Sequence, residues 1–549
     1  MKNFLNANRR ALTAVLLAAA VLVGFRFFGV LVYDTNDDAI MAAISYGYYG
    51  QPEGNLVYIH PLLGVILAFL QRSVPGVSWY LMMELGLLFV AMAALYSLVL
   101  DRENGTWTIP ALTVLTVYFV YALLFRMQYT KIAGCAAAAG ILLLYRAVEE
   151  RRKWYAYCLG ILLAAAGFLL RDDAFFMVLI PMAGVGVWYG VGYLRAKKWN
   201  QAASLVGAFV LLFSLCGGLM AGEVLGRDPA WEHYRQYNRL RSELMDYGFP
   251  DYGENQALYE SLGISEEDLA LYKSWDFGDP DRFSIPVMEA LVDAKQPRAF
   301  SPGELLGCAK ASLRGILHYD FAACLLLGIL LWLWRTNRAG LLLGLYALAS
   351  LFATEAFLLY SGRGLRERVD AALVLAVLSV LLAVCTKSEK REGCLTRGAA
   401  ILLSAAIVVS QCPGLMSRKD DAMERYVGAA HLHAAYQVMS RDRDTLYLTR
   451  TDELPPDRMP GQQGSFGYFS NIATLGGWLT DSPYVLERYA RYGVENPFRD
   501  LVNAEHIRLV SNDPEPVLRY IRAHYAADAR LVEEDSIRGE YRVWKIVSQ

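Results

Sequence analysis

The sequence predicts an α-helical polytopic membrane protein that ends in a small α/β domain outside the cytoplasm. The first observation is composition, because the 549 residues are 55% hydrophobic and only 19% charged, against about a quarter charged in soluble domains. The second is that apolar runs long enough to cross a bilayer recur along most of the chain. The third is a mean hydropathy of only +0.27, which indicates a sizeable part in water.

We expect about eleven spans, since runs of roughly 20 apolar residues match a hydrocarbon core of about 30 Å. The predicted spans are residues 11–32, 79–100, 107–125, 132–145, 154–170, 174–194, 202–222, 321–334, 339–360, 371–385 and 399–409.

The distribution of Lys and Arg predicts the orientation, because cytoplasmic loops are enriched in these residues. With the amino terminus in the cytoplasm, the long polar segments 34–78, 223–319 and 411–549 all fall outside. The basic residues that then lie inside are Lys2, Arg9, Arg10, Arg151, Arg152, Lys153, Arg195, Lys197, Lys198, Arg335, Arg338, Lys387, Lys390 and Arg391.

These patterns divide the chain into a membrane domain, residues 1–410, and an α/β domain, residues 411–549. The membrane domain carries an outer loop, 34–78, with juxtamembrane helices, and a large helical outer loop, 223–319. Aromatic side chains in the large loop form either its own core or a surface that stacks on sugars. In the tail, the runs 445–449, 507–511 and 541–547 are typical of strands, and 514–525 is typical of a helix.

Charge and cysteine usage exclude several function classes. Lys and Arg total 52 against 54 Asp and Glu, a net charge of −2, so the chain is not expected to bind nucleic acid. The eight cysteines are scattered singly, which supports neither a disulfide framework nor a zinc site. No nucleotide-binding or hydrolase motif is present.

Three carboxylates follow the first span, at Asp34, Asp37 and Asp38. In a helix, their spacing puts all three on one face. Crowded carboxylates raise one another's pKa or recruit a cation, so Asp37 and Asp38 are candidates for a general base or a metal site. The alternative is a solvated first turn of a helix, where acidic residues are favoured.

A second charged cluster joins the fifth and sixth spans on the same predicted side, at Arg171, Asp172 and Asp173. This cluster is either a polar turn between two helices or a second part of the same site. The second alternative rests on its predicted position on the same side of the membrane as the first acidic cluster.

Three ionisable residues lie within predicted spans, where charge is costly and usually functional. They are Arg26, Glu84 and Glu355, each on the outer side of its span. Because Arg26 and Glu84 lie at similar depth on consecutive spans, the alternative for these two is a simple ion pair.

Arg363, Arg366 and Arg368 cluster in an external turn, against the trend of basic residues inside. Arginine forks suit phosphate oxygens, here at the level of the lipid headgroups. The alternative is contact with headgroups or with the nearby Glu367 and Asp370.

The order of these features resembles the GT-C superfamily of integral membrane glycosyltransferases. Members commonly carry Asp-Glu in the first outer loop, then a segment with Gly, a His/Lys-Pro-Leu helix and an Arg-Tyr-Leu-Leu-Pro run before a late span. This chain has Asp-Asp for the acidic pair and lacks the final Pro. The corresponding residues here are Asp37-Asp38, Gly47 to Gly50, His60-Pro61-Leu62-Leu63 and Arg366-Glu367-Arg368-Val369.

The resemblance implies a multi-pass cell-membrane enzyme of the dolichyl- or undecaprenyl-phosphate mannosyl- and aminoarabinose-transferase type. The donor would be a polyprenyl-phosphate-linked sugar, and the acceptor a glycan, lipid or protein outside the cytoplasm. Asp37 or Asp38 would be the base, and Arg366 with Arg368 or Arg363 would hold the donor phosphate. No cofactor is certain, although a divalent cation at the acidic pair is compatible with the resemblance.

Two other function classes fit parts of the sequence. A transporter or flippase of lipid-linked glycans explains the charges within spans. A glycan polymerase or ligase also takes a lipid-linked donor but relies on a large loop with Arg and His, and here that loop offers His233 and His318.

Overall fold

The computed structural model describes residues 9–100, 105–226, 228–295, 301–364, 366–385, 396–455, 459–461 and 464–549. Within these residues the chain is mostly helical and carries one five-stranded sheet near its carboxyl end. Of the basic residues used to predict the orientation, Lys2, Lys387, Lys390 and Arg391 lie outside the described residues.

The helices and strands follow in this order. The first part contains α1 (Arg9–Phe28), α2 (Asn36–Ser45), α3 (Pro61–Ser73), α4 (Trp79–Leu100), α5 (Thr108–Phe119), α6 (Tyr129–Glu149), α7 (Trp154–Leu170), α8 (Asp172–Arg195) and α9 (Trp199–Leu225). The large loop and later spans contain α10 (Pro229–Tyr247), α11 (Gln256–Ser261), α12 (Glu266–Lys273), α13 (Ile285–Asp293), α14 (Pro302–His318), α15 (Ala322–Arg335), α16 (Arg338–Tyr360), α17 (Glu367–Ala383) and α18 (Arg397–Met439). The tail contains β1 (Leu446–Thr449), β2 (Ile472–Thr474), α19 (Pro483–Arg491), β3 (Ile507–Val510), α20 (Glu515–His524), β4 (Arg530–Ile537) and β5 (Tyr541–Val547).

Eight helices of the described chain are long and apolar enough to cross a membrane: α1, α4, α5 with its flanking turns, α6, α8, α9, α16 and α18. Helices α14 and α15 meet at 100° and pass the same test as a pair, which gives up to nine spans. The expected count of eleven is therefore not confirmed. The difference lies in α7 and α17, which have 17 residues each and are too short for the criterion of length.

Although short, α7 and α17 both connect the two ends of the bundle. At one end of α7 the Tyr157 hydroxyl donates to the Ala147 carbonyl, and near the other end the Leu169 carbonyl accepts from the His60 amide. Helix α17 begins beside Asp37 and is followed by Cys385, whose carbonyl accepts from the Thr336 hydroxyl at the opposite end.

The outward faces of the bundle helices are apolar. Leu162, Val187 and Leu330 have 65%, 65% and 63% of their surface exposed, on three different helices. Exposed apolar area on this scale is typical of a surface that contacts lipid rather than water. The structure thus supports a polytopic membrane protein.

One hydrophobic core joins the three long polar segments at a single end of the bundle. It contains Tyr48 from the first outer loop, Tyr237 and Leu244 from α10 in the large loop, and Leu448 and Ile521 from the tail. The aromatic side chains of the large loop mostly form this core, which is the first of the two alternatives considered for them.

The sheet has the order β2-β1-β3-β5-β4. Strands β2, β1 and β3 are parallel, whereas β5 runs antiparallel to β3 and forms a hairpin with β4. In open parallel sheets, ligands bind beyond the carboxyl ends of the strands. Here those ends, at Thr449 of β1 and Thr474 of β2, face the membrane domain through a cavity described below.

A tight backbone contact fastens the large loop to the carboxyl end of β2. The Gly278 amide donates to the Leu475 carbonyl at 2.7 Å, and the Gly477 amide donates to the Trp275 carbonyl at 3.0 Å. A Cβ atom at Gly476 would lie 1.8 Å from the Trp275 carbonyl oxygen, so only glycine permits this approach. The contact fixes Trp275 beside the sheet.

Candidate functional site

Asp37 lies in the first turn of α2, which begins at Asn36 because Thr35 keeps an extended backbone. The Asp37 carboxylate accepts a 2.7 Å hydrogen bond from Nη1 of Arg368, in the first turn of α17. Their side chains are 13% and 29% exposed. The candidate base and one of the candidate phosphate-binding arginines are therefore in direct contact, 331 residues apart in sequence.

Asp38 points away from this pair into the protein. Its Oδ1 accepts hydrogen bonds from the Tyr129 amide at 2.9 Å and from the Tyr80 hydroxyl at 3.2 Å. Burial raises the pKa of Asp38 to about 7, and Glu84 of α4 lies beside it. Asp38 therefore ties α2 to α4 and α6, and it lines neither cavity beside Asp37.

Asp34 precedes the helix, so the expectation that Asp34, Asp37 and Asp38 share one helix face is wrong. Its carboxylate lies 2.9 Å from Nζ of Lys131. Burial acts to raise the pKa of Asp34, but the charge and hydrogen bond of Lys131, together with the charges of Arg126 and Arg425, outweigh burial and hold that pKa below its usual value. The three carboxylates thus have three different partners.

A network of buried ion pairs lies directly beneath the Asp37–Arg368 pair. Lys131 is fully buried and also lies 3.3 Å from the Glu367 carboxylate. Glu367 accepts in addition from Arg126 and Arg418, each at 2.8 Å. Because Lys131 lies in the first turn of α6 and Glu367 begins α17, the network holds together the ends of the helices that surround the site.

Two cavities meet at the Asp37–Arg368 pair. The first has a volume of about 460 Å³ and lies between α2 and the carboxyl ends of β1 and β2. The second, of about 500 Å³, lies between the large loop and the ends of α7 and α9. Residues that line both cavities are Asp37, Asp246, Trp275, Arg368 and Trp478.

The second cavity combines arginines with apolar side chains of the bundle. Its apolar part includes Phe168 and Leu169 from α7 and Met220 and Val224 from α9. The six arginines exceed the four carboxylates that line the cavity. These arginines are Arg171, Arg235, Arg239, Arg241, Arg363 and Arg368, and the carboxylates are Asp37, Asp172, Glu223 and Asp246.

Of the six arginines that line the second cavity, Arg241 has the least exposed surface. It is 3% exposed, bonds to the Asn238 side chain, and lies 5.3 Å from the centroid of the Trp275 ring. No ion pair with a carboxylate is formed by Arg241 within the described part of the chain. Its charge is therefore available to an anion in the second cavity.

The second acidic cluster reaches the same site. Asp172 lines the second cavity together with Asp37. Arg171 pairs with Asp173 at 2.7 Å and lies over the rings of Tyr58 and Tyr129, while the Asp173 carboxylate is 59% exposed. The two acidic clusters therefore converge at one cavity, with Arg171 and Asp172 in its wall.

The three candidate arginines of the external turn are divided between the cavities. Arg363 lines the second cavity, Arg366 lines the first, and Arg368 lines both. Glu367, between the last two, faces the buried network instead.

The ionisable residues within spans lie away from the cavities. Arg26 is exposed on α1, and Glu84 lies beside Asp38, so these two do not form the ion pair considered for them. Glu355 on α16 is buried and accepts a 2.6 Å hydrogen bond from the Ser312 hydroxyl of α14. It holds α14 against α16 rather than facing the site.

The donors around the acidic pair do not favour a divalent cation there. Asp37 is occupied by Arg368, whereas Asp38 accepts from an amide and a hydroxyl of the protein. Among the described residues, no group of three or more His, Cys, Asp or Glu side chains has the spacing of a metal site.

The histidines expected of a polymerase or ligase also lie outside both cavities. His233 pairs with Asp481 at 2.8 Å, and His318 bonds to the Arg314 carbonyl. His60, the N-cap residue of α3, lines the second cavity instead.

Several residues that build the site give little signal in the sequence. Lys131 directly precedes a predicted apolar span, and the sequence around Glu367 suggests only an ion pair with the neighbouring arginines. Arg241 and Trp275 belong to a polar loop where neither spacing nor composition distinguishes them. Their roles arise from contacts between segments more than 100 residues apart, such as Lys131 with Glu367.

Comparison of the chain with protein-family models, with curated proteins and with solved structures found no match in any of the three. The resemblance to GT-C glycosyltransferases therefore stays a prediction from the motifs.

Removal of the Lys131 charge is predicted to destabilise the site and the fold together. Lys131→Met removes the cation that lies 2.9 Å from the buried Asp34 carboxylate and also removes one partner of Glu367, which costs about 3–5 kcal/mol. Arg425→Gln is the control, because Arg425 is partly exposed and pairs with Asp421 one turn away on α18. Thermal unfolding in detergent should show a clearly lower midpoint for Lys131→Met alone, and equal midpoints for wild type and Lys131→Met would contradict the prediction.

Proposed function

We propose that this chain is a membrane glycosyltransferase that moves a sugar from a polyprenyl-phosphate-linked donor to an acceptor on the extracytoplasmic side. The observation that carries the proposal is the Asp37–Arg368 pair, which stands where an arginine-rich cavity and a cavity against the sheet meet. A transferase needs two substrates to meet at one reactive group. Two cavities that meet at one carboxylate would satisfy this requirement.

The second cavity is proposed to hold the donor. Its arginines offer planar forks for phosphate oxygens, and the side chains of α7 and α9 offer an apolar surface for the first prenyl units. Arg363 and Arg241 are the proposed phosphate ligands, with Arg368 beside them. A lipid-linked donor enters from the bilayer, so its phosphate belongs at the ends of the spans, where these residues lie.

The first cavity is proposed to hold the acceptor, with Asp37 as the general base. The acceptor hydroxyl attacks the anomeric carbon of the sugar, and its proton passes to the Asp37 carboxylate. The new bond joins the acceptor oxygen to the anomeric carbon as the bond from that carbon to the phosphate oxygen breaks. Polyprenyl phosphate leaves with the bonding electron pair, which the arginines stabilise, and attack opposite the leaving group inverts the anomeric carbon.

Arg368 has a second role in this proposal. Without a donor, its Nη1 donates a 2.7 Å hydrogen bond to the Asp37 carboxylate and so occupies it. A donor phosphate in the second cavity competes for the same guanidinium. Donor binding would then release Asp37 as a base only when the sugar is in place.

The orientation and number of passes complete the proposal. Eleven passes, counting α7, α17 and the bent pair α14–α15, place the amino terminus and the tail on opposite sides. With basic residues such as Arg151, Arg195 and Arg335 in the cytoplasm, the site opens outside, where polyprenyl-phosphate sugars are used without nucleotides.

Loss of the base is predicted to abolish transfer while leaving the fold intact. Asp37→Asn preserves the shape but cannot accept the proton, so turnover should fall roughly 10²–10⁴-fold. The measurement is release of polyprenyl phosphate from synthetic polyprenyl-phosphate sugars by the protein in nanodiscs. Asp173→Asn is the matched control, because that carboxylate is exposed and Asn can still accept from Arg171. Near-normal turnover of Asp37→Asn would refute the proposed role and favour the transporter alternative.

The division of arginines between the cavities predicts unequal effects on donor binding. Arg363→Gln should weaken binding of synthetic undecaprenyl phosphate about tenfold or more, since charge-assisted hydrogen bonds contribute about 1.5–3 kcal/mol. Arg366→Gln should change it far less, because Arg366 lines the other cavity. A larger effect of Arg366→Gln than of Arg363→Gln would instead assign the donor phosphate to Arg366.

A further inference from the structure

The first cavity contains a buried arginine that the proposed chemistry does not use. Arg488, on α19, is 4% exposed and lines this cavity. Its Nη1 donates to the Ile472 carbonyl, and its guanidinium carbon lies 4.6 Å from the centroid of the Tyr49 ring. Its Nε and Nη2 atoms are buried and have no hydrogen-bond partner among the described residues.

The two unsatisfied donors lie on one edge of the guanidinium. Nε–H and one Nη2–H point in the same direction, at the spacing of two oxygens of a carboxylate or phosphate. A buried charge with unmet donors costs free energy, and the usual compensation is an anion. The strongest electrostatic neighbours of Arg488 are Tyr49, Tyr489, Arg491 and Tyr492, none of which is a carboxylate.

Besides the charged side chains of Asp37, Asp246, Asp452, Arg366 and Arg368, the cavity offers a surface that suits the uncharged part of a polar ligand. Phe469, Tyr436 and Trp478 give aromatic surface, and Thr474 and Thr449 give hydroxyl groups at the carboxyl ends of β2 and β1. The same cavity is lined by Asp37. An occupant would therefore contact both the general base and Arg488.

We propose that Arg488 binds an anionic group, a phosphate or a carboxylate, on the acceptor. The hydroxyl of that acceptor faces Asp37, and its apolar or sugar ring lies against the aromatic side chains. The acceptor role of this ligand depends on the proposed glycosyl transfer, whereas the anion site itself depends on Arg488 and the first cavity alone. The inference thus narrows the acceptor class to anionic molecules.

Equilibrium binding to the full chain tests the anion site directly. The protein is placed in nanodiscs of phosphatidylcholine, which carry no net charge, and titrated with glycerol 3-phosphate, glycerate or glycerol. Saturable binding of either anion but not of glycerol is expected. It should weaken at least tenfold in Arg488→Gln, persist in part in Arg488→Lys, and remain unchanged in Arg491→Gln, the exposed arginine on the same helix that pairs with Glu487.

Further arms separate the possible outcomes. If phosphatidylglycerol in the nanodisc competes with the soluble anion, the natural source of the anion is a lipid headgroup. If it does not compete, the source is a soluble molecule or a group carried on a glycan. No binding of either anion, or equal binding by wild type and Arg488→Gln, would overturn the inference. Because Arg488→Gln also loses the bond to Ile472, its unfolding midpoint is measured in parallel, and Arg488→Lys carries the test if that variant does not fold.

The two proposals fail in distinguishable ways. Asp37→Asn should bind the anion as wild type does. If the protein binds the anion through Arg488 but transfers no sugar, the anion site is supported and the proposed transferase activity is refuted. Sugar transfer at the wild-type rate by Arg488→Gln would retain the transferase and refute the role of Arg488.

Discussion

The fully buried ammonium of Lys131 is the contact on which the arrangement of the site depends. It is neutralised by Asp34 and Glu367, and those two carboxylates belong to the segments that carry Asp37 and Arg368. Asp37 follows Asp34 by three residues, and Arg368 follows Glu367 directly. Because Asp34 and Glu367 bind the same cation, Asp37 and Arg368 come within hydrogen-bond distance of each other. The buried charge of Lys131 is in turn stable only because these two carboxylates neutralise it.

Adjacent residues of the same type have different roles because their surroundings differ. Asp37 faces two cavities and an arginine, whereas Asp38 faces the Tyr129 amide, the Tyr80 hydroxyl and Glu84. The first environment leaves the Asp37 carboxylate in the walls of both cavities, whereas burial in the second raises the pKa of Asp38 and makes that side chain part of the packing. This contrast distinguishes the two neighbours, which the acidic motif alone leaves equivalent.

Hydropathy and local pattern predicted much of the fold. Most of every predicted apolar run is helical, and strands β1, β3 and β5 and helix α20 lie within a residue of their predicted places. Strand β2 was missed because it has three residues, and β4 because its exposed, charged sequence lacks the alternation of a half-buried strand. The predicted boundary near residue 410 falls inside α18, since the helix continues from its apolar part into a polar one without a break. The motifs single out Asp37, Asp172 and Arg368, which line the cavities, whereas the positions of Lys131, Arg241 and Arg488 depend on tertiary contacts that no local pattern encodes.

In the proposed mechanism, a lipid phosphate and Asp37 compete for Arg368 where the two cavities meet. An experimental structure of the full chain in nanodiscs with undecaprenyl phosphate tests this competition directly. We expect phosphate density in the second cavity, within hydrogen-bond distance of Arg363 and Arg368, with the Asp37–Arg368 contact broken. A phosphate bound elsewhere, with the 2.7 Å contact between Asp37 and Arg368 intact, would contradict it.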